Sequence, residues 1–198
     1  MLALIQARIN STRLPGKVLL PLGDKRVLEH IVDRAWKIKD VSEVGITIPF
    51  DAGQSELNDY IYHRMTFESR YHVKVSYGPE NDLRERTLRA MRGHGDVLRI
   101  WGDCPLIDPA TCSSLVAAYK QDDTHFGLAV IPEDSGFPRG WEVHVASLKV
   151  IYNSGVGADG GILYPDIPRL ELRRFPPVDE NYLLDTPEDY QRLCGLFS

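Results

Sequence analysis

Between Leu2 and Lys17 the chain reads LALIQARINSTRLPGK: an apolar run from Leu2 to Ile5, then a polar loop that carries Arg8, Arg13 and Lys17 with Asn10, Ser11, Thr12, Pro15 and Gly16. No Asp or Glu precedes Asp24. Cations crowded this closely in sequence repel one another unless something anionic neutralises them. Gly16 lets the backbone approach a ligand, and Ser11 and Thr12 add hydroxyl donors. A polyphosphate suits such a loop. The alternative is a solvated basic loop whose Arg and Lys pair with carboxylates from elsewhere. The spacing is not that of the P-loop, because Val18 follows Lys17 and position 11 is serine, nor is it G-x-G-x-x-G.

Two carboxylates stand out further along. Asp103, in RIWGDCPLID, follows an apolar run on a Gly turn, before a proline that ends strand pairing. It would project into a ligand crevice; capping a turn is the competing role. In LLDTPEDY, Thr186 reads as a helix N-cap, with Pro187 at the first helical position and Asp189 reaching back to the cap. Asp185 is not needed for that cap.

Ala7 to Arg34, ARINSTRLPGKVLLPLGDKRVLEHIVDR, resembles the opening signature of the cytidylyltransferases that activate acidic sugars, and most closely the spore-coat polysaccharide nucleotidyltransferase-like family. GDCPLI, from Gly102, and DTPED, from Asp185, resemble two further motifs of that family in the same order. The resemblance implies a Rossmann-like, three-layer nucleotide-diphospho-sugar transferase fold and transfer of CMP from CTP to a small anionic acceptor. Arg8, Lys17 and Asp103 would be catalytic. Ala7, Asn10, Ser11, Arg13 and Gly16 would join them around the nucleotide, and Asp103 and Asp185 would hold Mg²⁺. Asp82 and Arg86, in GPENDLRER, resemble a family segment near the nucleotide; a plain helix start, with Asp82 in the first turn, explains them equally well. PRGWEVH resembles a stretch that lines the acceptor pocket, which would give Arg139 to an acceptor anion and Glu142 to a hydroxyl, with His144 structural. Ser154 to Pro168, SGVGADGGILYPDIP, departs from the family: it is Gly-rich and has no E-H-V-T. The acceptor side, residues 132–180, is therefore abbreviated or rebuilt, and with it the surface of a homodimer. A nucleotidyltransferase using another NTP and a non-catalytic partner subunit are the rival functions.

The elements that must position these residues alternate. After Leu2–Ile5 come helical spacing over Lys25–Lys37, a strand at Glu43–Ile48, a helix over Ser55–Met65, and a short strand at Val73–Val75. A helix over Asp82–Met91, a strand at Asp96–Ile100, and a helix from Asp108-Pro109 to Tyr119 follow. Strands at Phe126–Ile131 and Glu142–Val145 complete the pattern. Alternation of this kind gives an α/β fold with a mostly parallel sheet and helices on both faces. Ligands then bind beyond the carboxyl ends of the strands.

With 198 residues, the chain suits a single domain with a substantial core. Its net charge of −5 makes the basic loop a local feature and argues against a nucleic-acid polymer as partner, which needs a broad basic face. Cys104, Cys112 and Cys194 form no C-x-x-C pair, as expected of reduced thiols in the cytoplasm. No stretch approaches the ~20 apolar residues of a membrane helix.

Overall fold

The computed structural model describes residues 1–50, 52–67, 72–123 and 127–197. In chain order the first elements are β1 (Leu2–Gln6), β2 (Pro21–Leu22), β3 (Lys25–Arg26), α1 (Val27–Ala35), β4 (Glu43–Pro49) and α2 (Ser55–Tyr60). They are followed by β5 (Val73–Gly78), α3 (Leu83–Ala90), β6 (Asp96–Trp101), α4 (Pro109–Gln121), β7 (Leu128–Val130) and β8 (His144–Ser147). The chain ends with α5 (Leu148–Tyr152), β9 (Gly155–Val156), β10 (Ile162–Leu163), β11 (Leu170–Glu171) and α6 (Pro187–Cys194).

Seven strands form one sheet in the order β11-β7-β8-β6-β1-β4-β5. β1 lies inside the sheet, between β6 and β4 and parallel to both. Only β8 runs against its neighbours, β6 and β7. The strictly alternating side chains of a strand divide β1 between two cores. Ala3 and Ile5 join Leu28 of α1, Leu57 of α2, Leu115 of α4 and Leu193 of α6 on one face. Leu2 and Leu4 join Ala90 of α3 and Val150 of α5 on the other. Because both faces are covered, β1 is apolar at every position before Gln6, as parallel central strands are. Burial of each such Leu or Ile contributes about 1.5–3 kcal/mol.

The expected alternation of strands and helices is present, with shifts at element ends. The helix expected over Ser55–Met65 is α-helical only through Tyr60 and continues as a π-helix over Ile61–Phe67. The strand expected from Glu142 begins at His144, because Glu142 turns back to accept a hydrogen bond from Gly140 N–H. Phe126, expected to open β7, lies outside the described residues. The Gly-rich segment is not a loose loop: β9 and β10 pair antiparallel, Ile162 opposite Val156. The small β2–β3 hairpin before α1 was not anticipated.

Candidate functional site

The loops that leave β1, β5 and β6 all emerge at the carboxyl ends of parallel strands. After β1, the chain doubles back on itself: Ser11 N–H and Gly16 N–H both donate to Ile9 O, at 2.9 Å each. Gly16 takes φ +70°, a left-handed conformation natural to glycine, and caps a short 3₁₀ turn, Lys17–Leu19. Lys17 is thereby carried inward and is 9% exposed.

After β6, Gly102 N–H donates to Gln6 O at 3.0 Å. A Cβ at Gly102 would sit 2.6 Å from that same carbonyl oxygen, so only glycine lets the two loops close together. Asp103 follows immediately. Its backbone oxygen accepts from Leu184 N–H at 2.8 Å, which ties the C-terminal segment to the turn. There the expected capping box is present: Thr186 Oγ1 accepts from Asp189 N–H, and Asp189 Oδ2 accepts from Thr186 N–H. Asp185 remains outside the cap as an acceptor, although its own N–H donates to Asp189.

These three segments meet at one nitrogen. Lys17 Nζ donates to Asp103 Oδ2 at 2.8 Å, to Leu184 O at 3.0 Å and to Asp185 Oδ1 at 3.2 Å. Arg13 closes on the other carboxylate oxygen of Asp185. The pairing of loop cations with distant carboxylates is thus real, and for Arg13 and Lys17 the partners are the two carboxylates singled out in the sequence.

The junction opens into a cleft of about 370 Å³. Arg8, Arg13, Lys17, Arg86 and Arg99 line it, against Glu80, Asp103, Asp159 and Asp185. Arg8, half-exposed, lies 4.0 Å from Glu80. Arg86 is 5% exposed. Burial, and then the neighbouring charge of Arg8, lower its pKa to about 10. A buried guanidinium held near a second cation is an arrangement that a nearby anion would relieve.

Of the expected nucleotide residues, Ala7, Arg8, Ser11, Arg13, Lys17, Arg86 and Asp103 line this cleft, and Thr12 lies beside them. Asn10 and Gly16 do not; they belong to the frame of the loop. Asp82 is the N-cap of α3, accepting from Glu85 N–H at 2.8 Å, so its helix-start role accounts for it. Arg139 and Glu142 also stand outside the lining. Arg139 pairs with Glu133 at 2.5 Å, while its N–H donates to Glu180 O at 2.8 Å. Glu142 is committed to Gly140 N–H at 2.6 Å, and burial raises its pKa.

Sequence reasoning missed the other wall. Gln6, Arg99 and Trp101 line the cleft from the sheet itself, His144 reaches it from β8, and Asp159 to Ile162 reach it from the β9–β10 hairpin. Arg99 breaks the apolar run of β6, and that interruption was the available signal.

Residues 2–150 match the family model described as cytidylyltransferase. The chain belongs to that family. It is 28% identical over 121 residues to the spore coat polysaccharide biosynthesis protein SpsF of Bacillus subtilis, covering 60% of this chain and 49% of that protein. It is 24% identical over 128 residues to the 8-amino-3,8-dideoxy-manno-octulosonate cytidylyltransferase of Shewanella piezotolerans, covering 65% and 51%. The chain thus spans about half the length of these curated relatives. Its fold matches that of a cytidylyltransferase from Leptospira borgpetersenii with a TM-score of 0.82 and 24% identity, over 97% of this chain and 84% of that one. In this cytidylyltransferase-family chain, no helix among the described residues is long and apolar enough to cross a membrane.

Proposed function

We propose that this chain is a CTP-dependent nucleotidyltransferase that moves CMP to an oxygen of a small anionic acceptor in surface polysaccharide or glycoconjugate biosynthesis. One observation carries the reading: Lys17, Asp103 and Asp185 converge from three separate segments on one point in a cation-lined cleft, in a chain of the cytidylyltransferase family. Chemically, an acceptor oxygen bonds to the α-phosphorus, the bond from that phosphorus to the β-phosphate oxygen breaks, and pyrophosphate leaves with the electron pair. The acceptor hydroxyl proton passes to solvent.

The chain's residues supply binding and charge. Arg8 and Lys17, with Arg13 behind them, hold the β- and γ-phosphates and stabilise the departing pyrophosphate. Ala7, Ser11 and Arg86 line the nucleotide's path, while Asn10, Gly16 and Asp82 shape the loop and helix start that frame it. The donor set suits a divalent cation. Asp103 and Asp185 place hard carboxylate oxygens within 3.2 Å of a single point, which a cation, the Lys17 ammonium, holds here. Such oxygens, completed by phosphates and water, are what Mg²⁺ prefers. Bound there, Mg²⁺ would neutralise charge developing at the α-phosphate. On this reading Lys17 exchanges its two carboxylates for phosphate oxygens when the nucleotide arrives. Residues 1–198 act as one domain, and the buried, unbridged Cys104 and Cys112 suit a cytoplasmic setting.

Calorimetric titration of CTP, UTP, ATP and GTP, with and without Mg²⁺, on wild type and Asp103→Asn tests the donor half. CTP binding that requires Mg²⁺ and is lost in the variant is the expected result. Preference for another NTP would reassign the donor. Absence of any NTP binding would remove the reading and leave a partner-subunit role in its place.

A further inference from the structure

Arg99 lies on the floor of the same cleft, 3% exposed. Its Nη1 donates to the Tyr164 hydroxyl and its Nη2 to Gln6 Oε1 at 3.3 Å, while its Nε has no acceptor. Both partners are neutral, and among the described residues no carboxylate forms an ion pair with it. Holding a guanidinium out of water on neutral partners, with the Trp101 and Tyr164 rings as its other neighbours, is unfavourable. The charge also adds to that of Arg86, whose pKa it helps to lower. Packing does not account for a cation here, since a neutral side chain would fill the same volume at less cost.

The atoms around Arg99 are chemically one-sided. His144 stands opposite it in the β6–β8 register, and its Nδ1 lies 3.2 Å from the Tyr164 hydroxyl. Burial, reinforced by Arg99, lowers the His144 pKa to about 3, so the ring is neutral. The Tyr164 oxygen accepts from Arg99, and its own proton is free to go to His144 Nδ1 in the tautomer that carries the imidazole proton on Nε2. Gln6 Nε2, like Arg99 Nε, has no partner. The uncommitted groups, on Arg99 and Gln6, are both donors. A donor-only set is matched by a ligand that brings acceptor oxygens and negative charge.

The proposed reaction has two anionic substrates. The triphosphate belongs to the loop after β1. Arg99 is on β6, beside β8, and by the strand rise of ~3.3 Å per residue its Cα lies at most ~13 Å before Asp103, which follows the end of the strand. A small molecule with its reacting oxygen near Asp103 and an anionic group at the other end spans that distance. Trp101 lies between, with the Arg99 guanidinium carbon 5.5 Å from its ring centre, and offers an apolar face to a sugar ring. We propose that Arg99, oriented by Tyr164 and Gln6, receives the carboxylate of the acceptor and so selects acidic over neutral acceptors. This rests on the nucleotidyl-transfer reading. It gives to Arg99 the role that Arg139, paired with Glu133 outside the cleft, does not fill.

The test uses the full chain loaded with Mg²⁺ and the α,β-methylene analogue of CTP. The probes are a 3-deoxy-2-ulosonate sugar, a sialate and a uronate, each titrated beside its methyl ester. At least one free acid is expected to bind wild type ten-fold or more tightly than its ester. Arg99→Gln should abolish that preference, hold the analogue within two-fold of its wild-type affinity, and leave the Tm without acceptor unchanged or raised, because a desolvated charge is gone. Tyr164→Phe should weaken the acid less than Arg99→Gln does. If Arg99→Gln fails to fold, Arg99→Lys, which keeps the charge but loses the planar fork, should still weaken the acid about ten-fold while sparing its ester. No preference for any acid on wild type, or parallel loss of the analogue in the Arg99 variants, overturns the assignment. Failure of wild type to bind the analogue at all would instead remove the nucleotidyl-transfer reading beneath it.

Discussion

Lys17 Nζ lies 2.8 Å from Asp103 Oδ2 although 86 residues separate the two in the chain. The contact joins the loop after β1 to the turn after β6, strands that are neighbours in the sheet. Parallel pairing aligns their carboxyl ends, so the sheet itself brings the ammonium to the carboxylate. Asp185 then arrives from the far end of the chain, held by Leu184 N–H on Asp103 O. The same nitrogen thus reports on the assembly of the fold and of the site.

Removing the ammonium separates those two roles. Lys17→Gln leaves Asp103 without its cation and Asp185 with Arg13 alone. Turnover is expected to fall about a hundred- to a thousand-fold, as for loss of a charge that stabilises the leaving group. Stability without metal should fall by about 1–3 kcal/mol, since a partly buried carboxylate loses its partner. The two carboxylates should also attract Mg²⁺ more readily in the variant. Thermal unfolding with and without MgCl₂ would show a larger metal-dependent rise in Tm than in wild type. Equal rises in both proteins would mean that Lys17 and the metal do not compete for one site.

Gly102→Ala tests how closely the two loops must approach. The added Cβ would meet Gln6 O at 2.6 Å, a backbone atom in the central strand that cannot rotate away. The Asp103 turn must shift instead, at about 1–3 kcal/mol. The variant should fold, as read by circular dichroism, yet lose Mg²⁺-dependent CTP binding in calorimetry. Wild-type binding would show that Asp103 tolerates the displacement.

Much of this was legible in the sequence, for local reasons. The unbroken apolar run of Leu2–Ile5 gave the buried parallel strand β1. Thr186-Pro187 marked the start of α6 to the residue, because a capping box depends only on near neighbours. Lys17, Asp103 and Asp185 stood out because strand alternation points their loops to one edge. The partners of Arg139 and Glu142, Glu133 and Gly140, were not legible, because they are set by the local path of a chain segment with no periodic pattern. Arg99 was passed over within DVLRI as part of a strand. Its break in an apolar run was the available signal, and the antiparallel placement of β8, which sets His144 opposite it, gives that signal its place in the cleft.

Thiol chemistry offers a test that needs no substrate. Burial, with Asp103 and Glu142 adding to it, raises the Cys104 pKa well above its ordinary value, and burial raises that of Cys112 to about 12. The thiolate is the reactive form, so both remain protonated and inert at neutral pH. Cys194 is only partly buried. Iodoacetamide at pH 8, followed by mass spectrometry, should modify Cys194 first and the other two only on unfolding. Early labelling of Cys104 would mean that the turn after β6 opens in solution.

His144 links stability to pH. Its pKa falls from 6.5 to about 3 on folding, through burial and then the nearby Arg99 charge. Between those values the unfolded chain binds a proton that the folded chain does not. Stability therefore rises with pH across that window and is lost as pH falls below about 6.5, by up to ~1.4 kcal/mol per pH unit. Above the window the group contributes no slope. Urea unfolding of wild type from pH 7 down to pH 4.5 should show this decline. His144→Asn, which keeps a polar side chain but has no proton to gain, should flatten it over the same interval. An equal slope in the variant would assign the acid sensitivity to carboxylates and show that the imidazole can be protonated in place, beside Arg99.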